Sequence, residues 1–266
     1  MDINQKLTEE LNVKRWQIDA AVKLIDEGNT IPFISRYRKE VTGSLNDEQL
    51  RKLHERLMYL RNLEEKKEQV ISSIEEQGKM TEELRSQILA AETLVTVEDL
   101  YRPYRPKRRT RATIAKEKGL EPLAAYILLQ NAKEPLEETA KQYISEEKEV
   151  KTAAEAIAGA KDIIAESISD NADYRTWIRR TTMKKGKIVS TAKDQESESV
   201  YEMYYEFEEP VSKLAGHRIL ALNRGEKEKF LNVKVEAPEE EILTYLEKKT
   251  IRRDNPYTSP VLKETV

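Results

Sequence analysis

The sequence predicts a mainly α-helical fold, and three observations support that class. The 266 residues include only eight glycines, few for an all-β chain with many tight turns. Aromatic residues make up 6%, whereas sandwiches and barrels need many aromatic and β-branched side chains. Charged residues make up 36% and hydrophobic residues 38%, a balance that suits helical layers with much surface. We therefore expect an elongated multi-helix scaffold.

Apolar residues at helical spacing predict the first helices. They recur on one face over residues 14–27, and Gly28 is a natural C-terminal stop because glycine tolerates the left-handed conformation. Pro32 suits the first turn of a following short helix, where its missing N–H has no helical partner in any case. Gly43 predicts the end of that short helix.

A long helix is predicted over about 47–77. Asn46 and Gln49 have the spacing of a capping box, in which each side chain binds the other's backbone N–H. At roughly 1.5 Å per residue the helix is about 45 Å long, so we expect it to bridge or span subdomains. The charged segment 64–68 interrupts the leucine stripe, which disfavours the alternative of a dimeric coiled coil. The stripe consists of Leu50, Leu53, Leu57 and Leu60.

The middle of the chain predicts further helices around one extended loop. A helix is expected near 81–91, and Thr96 with Asp99 has capping-box spacing ahead of a short helix. Two prolines within four residues then exclude regular helix in the loop that follows. Beyond the loop we expect four or five helices, with caps at Ser145 and Asn171.

The last part of the chain predicts a small amount of β-structure. The apolar segments 218–222 and 230–235 flank a polar stretch that contains Gly225, which predicts one small β-hairpin near the C-terminus. A final helix is expected over about 239–250. Residues 254–260 are expected to form a linker.

Composition excludes several classes of function. Cysteine is absent and the two histidines, His54 and His217, are far apart in sequence, so we expect no metal site and no cofactor. The isolated glycines supply no phosphate-cradling loop or nucleophile elbow. Asp162 and Glu166 share a helix face, and a solvated face is favoured over paired catalytic acids. The sequence therefore predicts a protein that is not an enzyme and has no small-molecule substrate.

Charge and hydropathy limit the partners. The sequence shows no signal peptide and no apolar run long enough to span a bilayer, so we expect a soluble, cytoplasmic protein without a membrane partner. The formal net charge is −3. Any contact with RNA or DNA must therefore come from local clusters of cations.

The extended loop is the first candidate for such a contact. Guanidinium groups match phosphate geometry, and Tyr101 and Tyr104 are placed to stack on bases or sugars. Alternatively, the loop cations pair with acidic helices of the same chain or are solvated. Both interpretations stay open. The candidate residues are Arg102, Arg105, Lys107, Arg108, Arg109 and Arg111.

Two further groups of cations and one acidic stretch are notable. A helix predicted over 172–185, with Trp177 on its opposite side, carries cations that suit entry into a groove or that complement the helix dipole. The acidic stretch 194–209 is expected to dock on a basic group of this chain or to bind a basic partner. The helix cations are Arg175, Arg179, Arg180, Lys184, Lys185 and Lys187. A third group, for which we favour a structural role, comprises Arg36, Arg38 and Lys39.

Two segments resemble the Tex family of bacterial transcription accessory proteins. The first is Ile31–Gly43, IPFISRYRKEVTG, and the second runs from Asp99 to Leu123 and includes PKRRTRATIA. His217–Gly225 also resembles a segment that precedes that family's next domain. The similarity extends along the whole chain, and motifs of this length are specific.

The resemblance implies a helical N-terminal region with a helix-turn-helix-like part. In the family, ribonuclease-H-like, helix-hairpin-helix and S1 domains follow, so we expect this chain to be a fragment. We expect three regions: 1–112 with the long helix, 113–190 with the helix-turn-helix-like subdomain, and 191–266 with the acidic connector, hairpin and last helix.

The resemblance also implies nucleic-acid binding and a role around transcription. Our leading hypothesis is a non-catalytic scaffold of a Tex-like factor that adds weak backbone contacts to RNA or DNA. The alternative is a protein-interaction platform for RNA polymerase or another transcription or translation component.

Overall fold

The chain is mainly α-helical, as predicted. The structure is a computed structural model and describes residues 2–266. Within these residues it has fourteen α-helices and three β-strands. The chain divides into two compact units, Met1–Tyr104 and Arg105–Val266. The finer boundaries at 112 and 190 stay predictions.

The first unit consists of six helices. The predicted stop at Gly28 is confirmed, with a left-handed φ of +84°, and Pro32 lies in the first turn of the third helix, as predicted. The helices are α1 (Ile3–Leu11), α2 (Arg15–Asp26), α3 (Ile31–Tyr37), α4 (Asp47–Glu76), α5 (Glu82–Ala90) and α6 (Leu94–Tyr101).

Capping signals fix most of these boundaries. The predicted box at the start of α4 is confirmed: Asn46 Oδ1 accepts from the Gln49 N–H at 2.8 Å, and Gln49 Oε1 accepts from the Asn46 N–H at 3.0 Å. The predicted box at Thr96 is wrong. Helix α6 begins one turn earlier, because Thr93 Oγ1 accepts from the Thr96 N–H at 3.2 Å.

Helix α4 is the centre of the first unit. It packs against α1, α2, α3, α5 and α6, so the expectation that it bridges subdomains is wrong. Its buried stripe also continues through the charged segment, because Lys67 is buried and its Nζ donates to the Leu89 carbonyl at 2.9 Å at the end of α5. The other buried positions are Leu50, Leu53, Leu57, Leu60, Leu63, Val70 and Ile74.

The second unit has eight helices around α10 (Ala153–Asp170). The predicted cap at Asn171 is confirmed, whereas the cap at Ser145 is wrong. Ser145 instead pairs with Val150 in an isolated β-bridge, and Thr152 caps α10. The other helices are α7 (Arg111–Glu117), α8 (Glu121–Leu129), α9 (Leu136–Ala140), α11 (Ala172–Lys185), α12 (Gly216–Lys227), α13 (Glu239–Thr250) and α14 (Ser259–Thr265).

Small residues on α10 allow close packing. Gly159 faces Leu120, so that a Cβ at Gly159 would lie 2.4 Å from Leu120 Cδ1. The segment expected to be a linker is packed into the same unit. Asn255 Nδ2 donates to the Ala132 carbonyl at 2.9 Å, and Leu262 of α14 is fully buried.

A three-stranded antiparallel sheet lies in the second unit. Strands β1 (Lys187–Ala192), β2 (Glu206–Pro210) and β3 (Leu231–Glu236) have the order β2-β1-β3. The predicted hairpin is therefore wrong in its first strand, because residues 218–222 belong to helix α12. The strand β3 pairs with β1, which precedes it by some forty residues.

Gly225 explains part of that error. It lies inside α12 and not in a turn, and the Leu231 side chain leaves no room for a larger residue; a Cβ there would lie 2.6 Å from Leu231 Cδ1. His217 accordingly belongs to α12 and not to a strand. The helix-turn-helix-like character of residues 113–190 stays a prediction.

Candidate nucleic-acid interface

The basic loop, residues 102–110, joins α6 to α7 without regular structure, as predicted. The Tyr101 hydroxyl lies 3.0 Å from Ser73 Oγ, and Gln77 Nε2 donates to the Tyr104 carbonyl at 2.9 Å. Both tyrosine rings pack against the core of the first unit. The prediction that they stack on bases is therefore not supported, since the rings already serve the fold.

Lys107 holds the loop against α10. Its Nζ forms a close ion pair with Asp170 and lies 3.4 Å from Glu166 Oε1. Asp170 is buried and Glu166 is half-buried. Thr110 Oγ1 donates to the same Glu166 carboxylate at 3.0 Å. This cluster is an internal structural contact, the second of the two interpretations that the sequence left open.

The neighbouring arginines remain largely in water. Arg109 lies 3.0 Å from Glu117 and Arg111 lies 3.6 Å from Asp162, yet their side chains are 70% and 87% exposed. Exposed ion pairs of this kind contribute about 0–1 kcal/mol, so a stronger anion can displace them. Arg108 is exposed as well. Lys107 is thus held by the fold, whereas Arg108 and Arg109 of the loop and Arg111 at the start of α7 face solvent.

The first two arginines of the loop are exposed to solvent and also interact with the rest of the chain. Arg102 and Arg105 are exposed, and each also interacts with another group of the chain. Beyond the loop, Lys116 Nζ lies 3.9 Å from Glu166 Oε2. Whether any of these cations contacts a phosphate stays a prediction.

The second group of cations lies on α11. Its aromatic side packs on α13, where the Trp177 and Tyr245 rings stack with centroids 3.7 Å apart and planes 4° apart. Burial raises the pKa of the Tyr245 hydroxyl. Lys185 pairs with Glu241 at 2.7 Å. The exposed cations of this helix are Arg179, Arg180, Lys184 and Lys185.

The acidic stretch contributes ion pairs within the second unit. Lys187, at the start of β1, forms a close pair with Glu208 on β2. Glu209 accepts from Arg218 at 2.7 Å, and this hydrogen bond raises the pKa of the arginine. Docking of the acidic stretch on a basic group of the same chain is therefore observed, at Lys187.

The third group of cations is at the end of α3. The Arg38 guanidinium lies 5.2 Å from the Phe33 ring centroid and donates to the Tyr37 carbonyl at 3.2 Å. Arg36 and Lys39 are exposed and have no side-chain partner among residues 2–266. The structural role that the sequence favoured for this group is thus found at Arg38 alone.

Chemistry beyond charge is sparse in the part of the chain that the structure describes. It contains no group of three or more histidine, cysteine or carboxylate side chains arranged to hold a metal ion. His54 lies on α4 and His217 on α12, in different compact units. None of the described helices is long and apolar enough to cross a membrane.

Two family models match this chain. The Tex-like protein N-terminal domain matches residues 1–75, and the Tex central region-like model matches residues 130–256. The chain belongs to the Tex family. The basic loop lies between the two matched segments, whereas the third group of cations lies within the first and the cations of α11 lie within the second.

Relatives of this Tex-family chain extend over nearly all of it. A Bacillus subtilis protein named YdcI is 49% identical over 99% of this chain and 37% of its own length. The Neisseria gonorrhoeae transcriptional accessory protein Tex is 44% identical over 88% of this chain and 31% of its own length. Human S1 RNA-binding domain-containing protein 1 is 31% identical over 88% of this chain and 24% of its own length. The chain therefore spans about a quarter to just over a third of these relatives.

Proposed function

We propose that this chain is a non-catalytic N-terminal scaffold of a Tex-like transcription accessory factor, and that its basic loop contacts the phosphates of RNA or DNA. The name of the Neisseria relative supports the role in transcription, and the name of the human relative, which includes an S1 RNA-binding domain, supports a nucleic-acid ligand. The chain spans only part of those proteins. A role for it in transcription and in nucleic-acid binding is therefore proposed here and does not follow from the names alone.

The observation that carries the proposal is that the neighbouring cations have two different roles: one fixes the loop and the others face solvent. Lys107 is paired with Asp170 and fixes the backbone, while Arg108, Arg109 and Arg111 extend into solvent beside it. Fixing the backbone reduces the ordering cost of binding. Guanidinium groups then offer paired N–H donors to phosphate oxygens.

Binding of labelled single-stranded RNA and of duplex DNA at 50 and 200 mM salt tests the proposal. If three arginines meet phosphates, log K falls against log salt with a slope of roughly −2 on single strands and about −3 on duplex. The triple reversal R108E/R109E/R111E is expected to abolish binding of duplex DNA and to weaken binding of single-stranded RNA. The matched control K133E/K151E/K213E reverses three exposed lysines of the same unit and is expected to bind like the parent.

Circular dichroism checks that each variant folds. Unchanged affinity and salt slope in R108E/R109E/R111E would remove the loop from the binding site. Equal losses of affinity in both triple variants would show that binding depends on the net charge of the chain and not on the position of the loop arginines.

One observation favours a second candidate, a platform for a protein of the transcription or translation machinery, such as RNA polymerase. Val200 and Met203 are large exposed apolar side chains within the acidic stretch 194–209. Apolar groups with acidic neighbours suit a basic protein partner. Absence of binding to RNA and DNA by the parent chain at low salt would favour this candidate over the first.

A further inference from the structure

A second charged surface lies in the first compact unit, away from the basic loop in sequence. We call it the Arg36 surface; it comprises Trp16, Arg36, Tyr37, Arg38 and Lys39. These residues lie at the first turn of α2 and at the end of α3. None of them belongs to the loop that carries the proposed function.

The backbone under this surface is tightly fixed. The Thr42 and Ser44 N–H groups donate to the carbonyls of Arg38 and Lys39 at 3.1 and 2.7 Å. Gln17 Nε2, next to the indole in sequence, donates to the Gly43 carbonyl at 3.0 Å. The turn after α3 is thereby joined to the start of α2.

Gly43 permits the indole of Trp16 to lie against that turn. Its φ is +62°, which favours glycine, and a Cβ at this position would lie 2.3 Å from Trp16 Cη2. The fold therefore sets the position of Trp16 relative to the turn that carries the cations. The surface exists before any ligand arrives.

The aromatic rings of this surface face solvent. Tyr37 is 60% exposed and Trp16 is 51% exposed. Phe33 supports the tyrosine from one side, with ring centroids 5.4 Å apart and planes at 44°. Tyrosine and tryptophan usually bury most of their area, so two exposed rings beside one turn indicate a surface that takes a ligand.

The cations of this surface differ from the other arginines of the unit. Within the described residues, Arg36 and Lys39 have no side-chain partner, and Arg38 contacts only a ring and a carbonyl. Cations at the end of a helix also complement its dipole, but that effect does not account for the exposed rings. By contrast, ion pairs are formed by other arginines of the same unit, namely Arg15, Arg51, Arg56, Arg61 and Arg85.

We propose that the Arg36 surface binds single-stranded nucleic acid, with bases stacked on Tyr37 and Trp16 and phosphates at Arg36, Arg38 and Lys39. Rings beside cations are the combination by which proteins bind single strands. A duplex keeps its bases stacked on one another and cannot use the rings. An acidic peptide can use the cations but offers no base. This site shares no residue with the loop, and the proposal does not rest on the loop.

Trp16 is a built-in reporter for the test. The sequence contains two tryptophans, so the variant W177F leaves Trp16 as the only one, and phenylalanine keeps a ring on Tyr245. In this background at low salt we expect oligouridylate or oligothymidylate to quench the fluorescence, and the two arms separate RNA from DNA. A duplex and polyglutamate are expected to quench at least tenfold less efficiently.

Substitutions on the surface locate the site. In the W177F background, Y37A and R36E/K39E are each expected to weaken quenching about tenfold or more. The control K52E/K79E, which reverses two exposed lysines of the same unit, is expected to leave it unchanged. The complementary variant W16F retains Trp177 and is expected to show no quenching.

The outcomes separate this site from the loop. The reversal R108E/R109E/R111E in the W177F background is expected to keep the Trp16 signal, so failure of the loop proposal does not affect this one. Absence of quenching by both single strands, equal quenching by polyglutamate, or full quenching in both Y37A and R36E/K39E would each overturn the proposal. Far-UV circular dichroism excludes unfolding as the cause of a loss.

Discussion

Lys107 illustrates what a single side chain contributes and why sequence does not reveal it. In the sequence it is one of several consecutive cations of the loop. In the structure its Nζ pairs with Asp170 and Glu166 of α10. Those acids lie some sixty residues further along the chain, so no local pattern marks the pairing. The loop itself could be predicted from its prolines, but the roles of its cations could not.

Removal of Lys107 is expected to destabilise the second unit. The variant K107M removes the Lys107 ion pair of buried Asp170, and we expect the free energy of unfolding to fall by about 1–3 kcal/mol. Urea denaturation measures it. The control R109Q breaks an exposed pair and is expected to cost less than about 1 kcal/mol. Equal effects of the two variants would contradict the structural role of Lys107.

Some helix boundaries follow from local chemistry, although the caps predicted at Thr96 and Ser145 are wrong. Asn46 with Gln49, and Asn171, mark caps that are read within four residues. The error over 218–222 arises because a run of five mostly apolar residues fits either helix or strand. In the structure this segment belongs to α12, and Leu231 of β3 packs against Gly225 of the same helix. Pairing of β3 with β1 is a long-range event that no short pattern encodes.

Packing between α10 and its neighbours gives a test at the level of helices. The variant G159V places a branched side chain against buried Leu120, and overpacking of this kind costs about 1–3 kcal/mol. Thermal and urea unfolding measure the loss. The control G216A adds a methyl group where no atom lies within 4 Å and is expected to be neutral or slightly stabilising. A stabilised G159V would show that this contact is looser than described.

The pair that joins α1 to α4 predicts a pH dependence. Glu10 accepts two hydrogen bonds from Arg56, at 2.5 and 2.7 Å. These hydrogen bonds from the guanidinium hold the pKa of Glu10 below its ordinary value of 4.5. A carboxyl whose pKa is lowered by folding stabilises the fold fully above that ordinary value. The stabilisation is lost as the pH falls through the lowered pKa.

The variant R56Q is therefore expected to lose less stability than the parent as the pH falls into the acid range. The melting temperature of the parent should fall more between pH 6 and pH 3 than that of R56Q. The double variant E10Q/R56Q, which lacks the titrating carboxyl, should show the same smaller fall in melting temperature. Parallel profiles for parent and R56Q would contradict the assignment.

At the scale of the whole molecule, the division into two compact units coincides with the basic loop. The unit boundary follows Tyr104, at the start of the segment proposed to contact phosphates. Composition, including the small number of glycines, was sufficient to predict a mainly helical chain. It was not sufficient to place this boundary, because the boundary depends on which helices share a core.

Limited proteolysis tests the loop in the intact chain. Trypsin is expected to cut after Lys107, Arg108 or Arg109, since prolines follow Arg102 and Arg105 and block those sites. It should also cut after Lys193, which lies in the irregular segment between β1 and β2. RNA is expected to protect the loop and not Lys193, as read by mass spectrometry of the fragments. Equal protection at both places would argue against a site in the loop.

The buried stripe of α4 fixes the positions at which the other helices of the first unit pack along it. Its buried positions run from the leucines near its start to Ile74, and Lys67 Nζ among them donates to the Leu89 carbonyl near the end of α5. One alanine inserted after Asn62 would turn every later position by about 100° and advance it by about 1.5 Å. Lys67, Val70 and Ile74 would then point away from their partners together. A substitution in α4 is therefore expected to act locally, whereas a change in the length of α4 disturbs every helix that packs beyond the insertion.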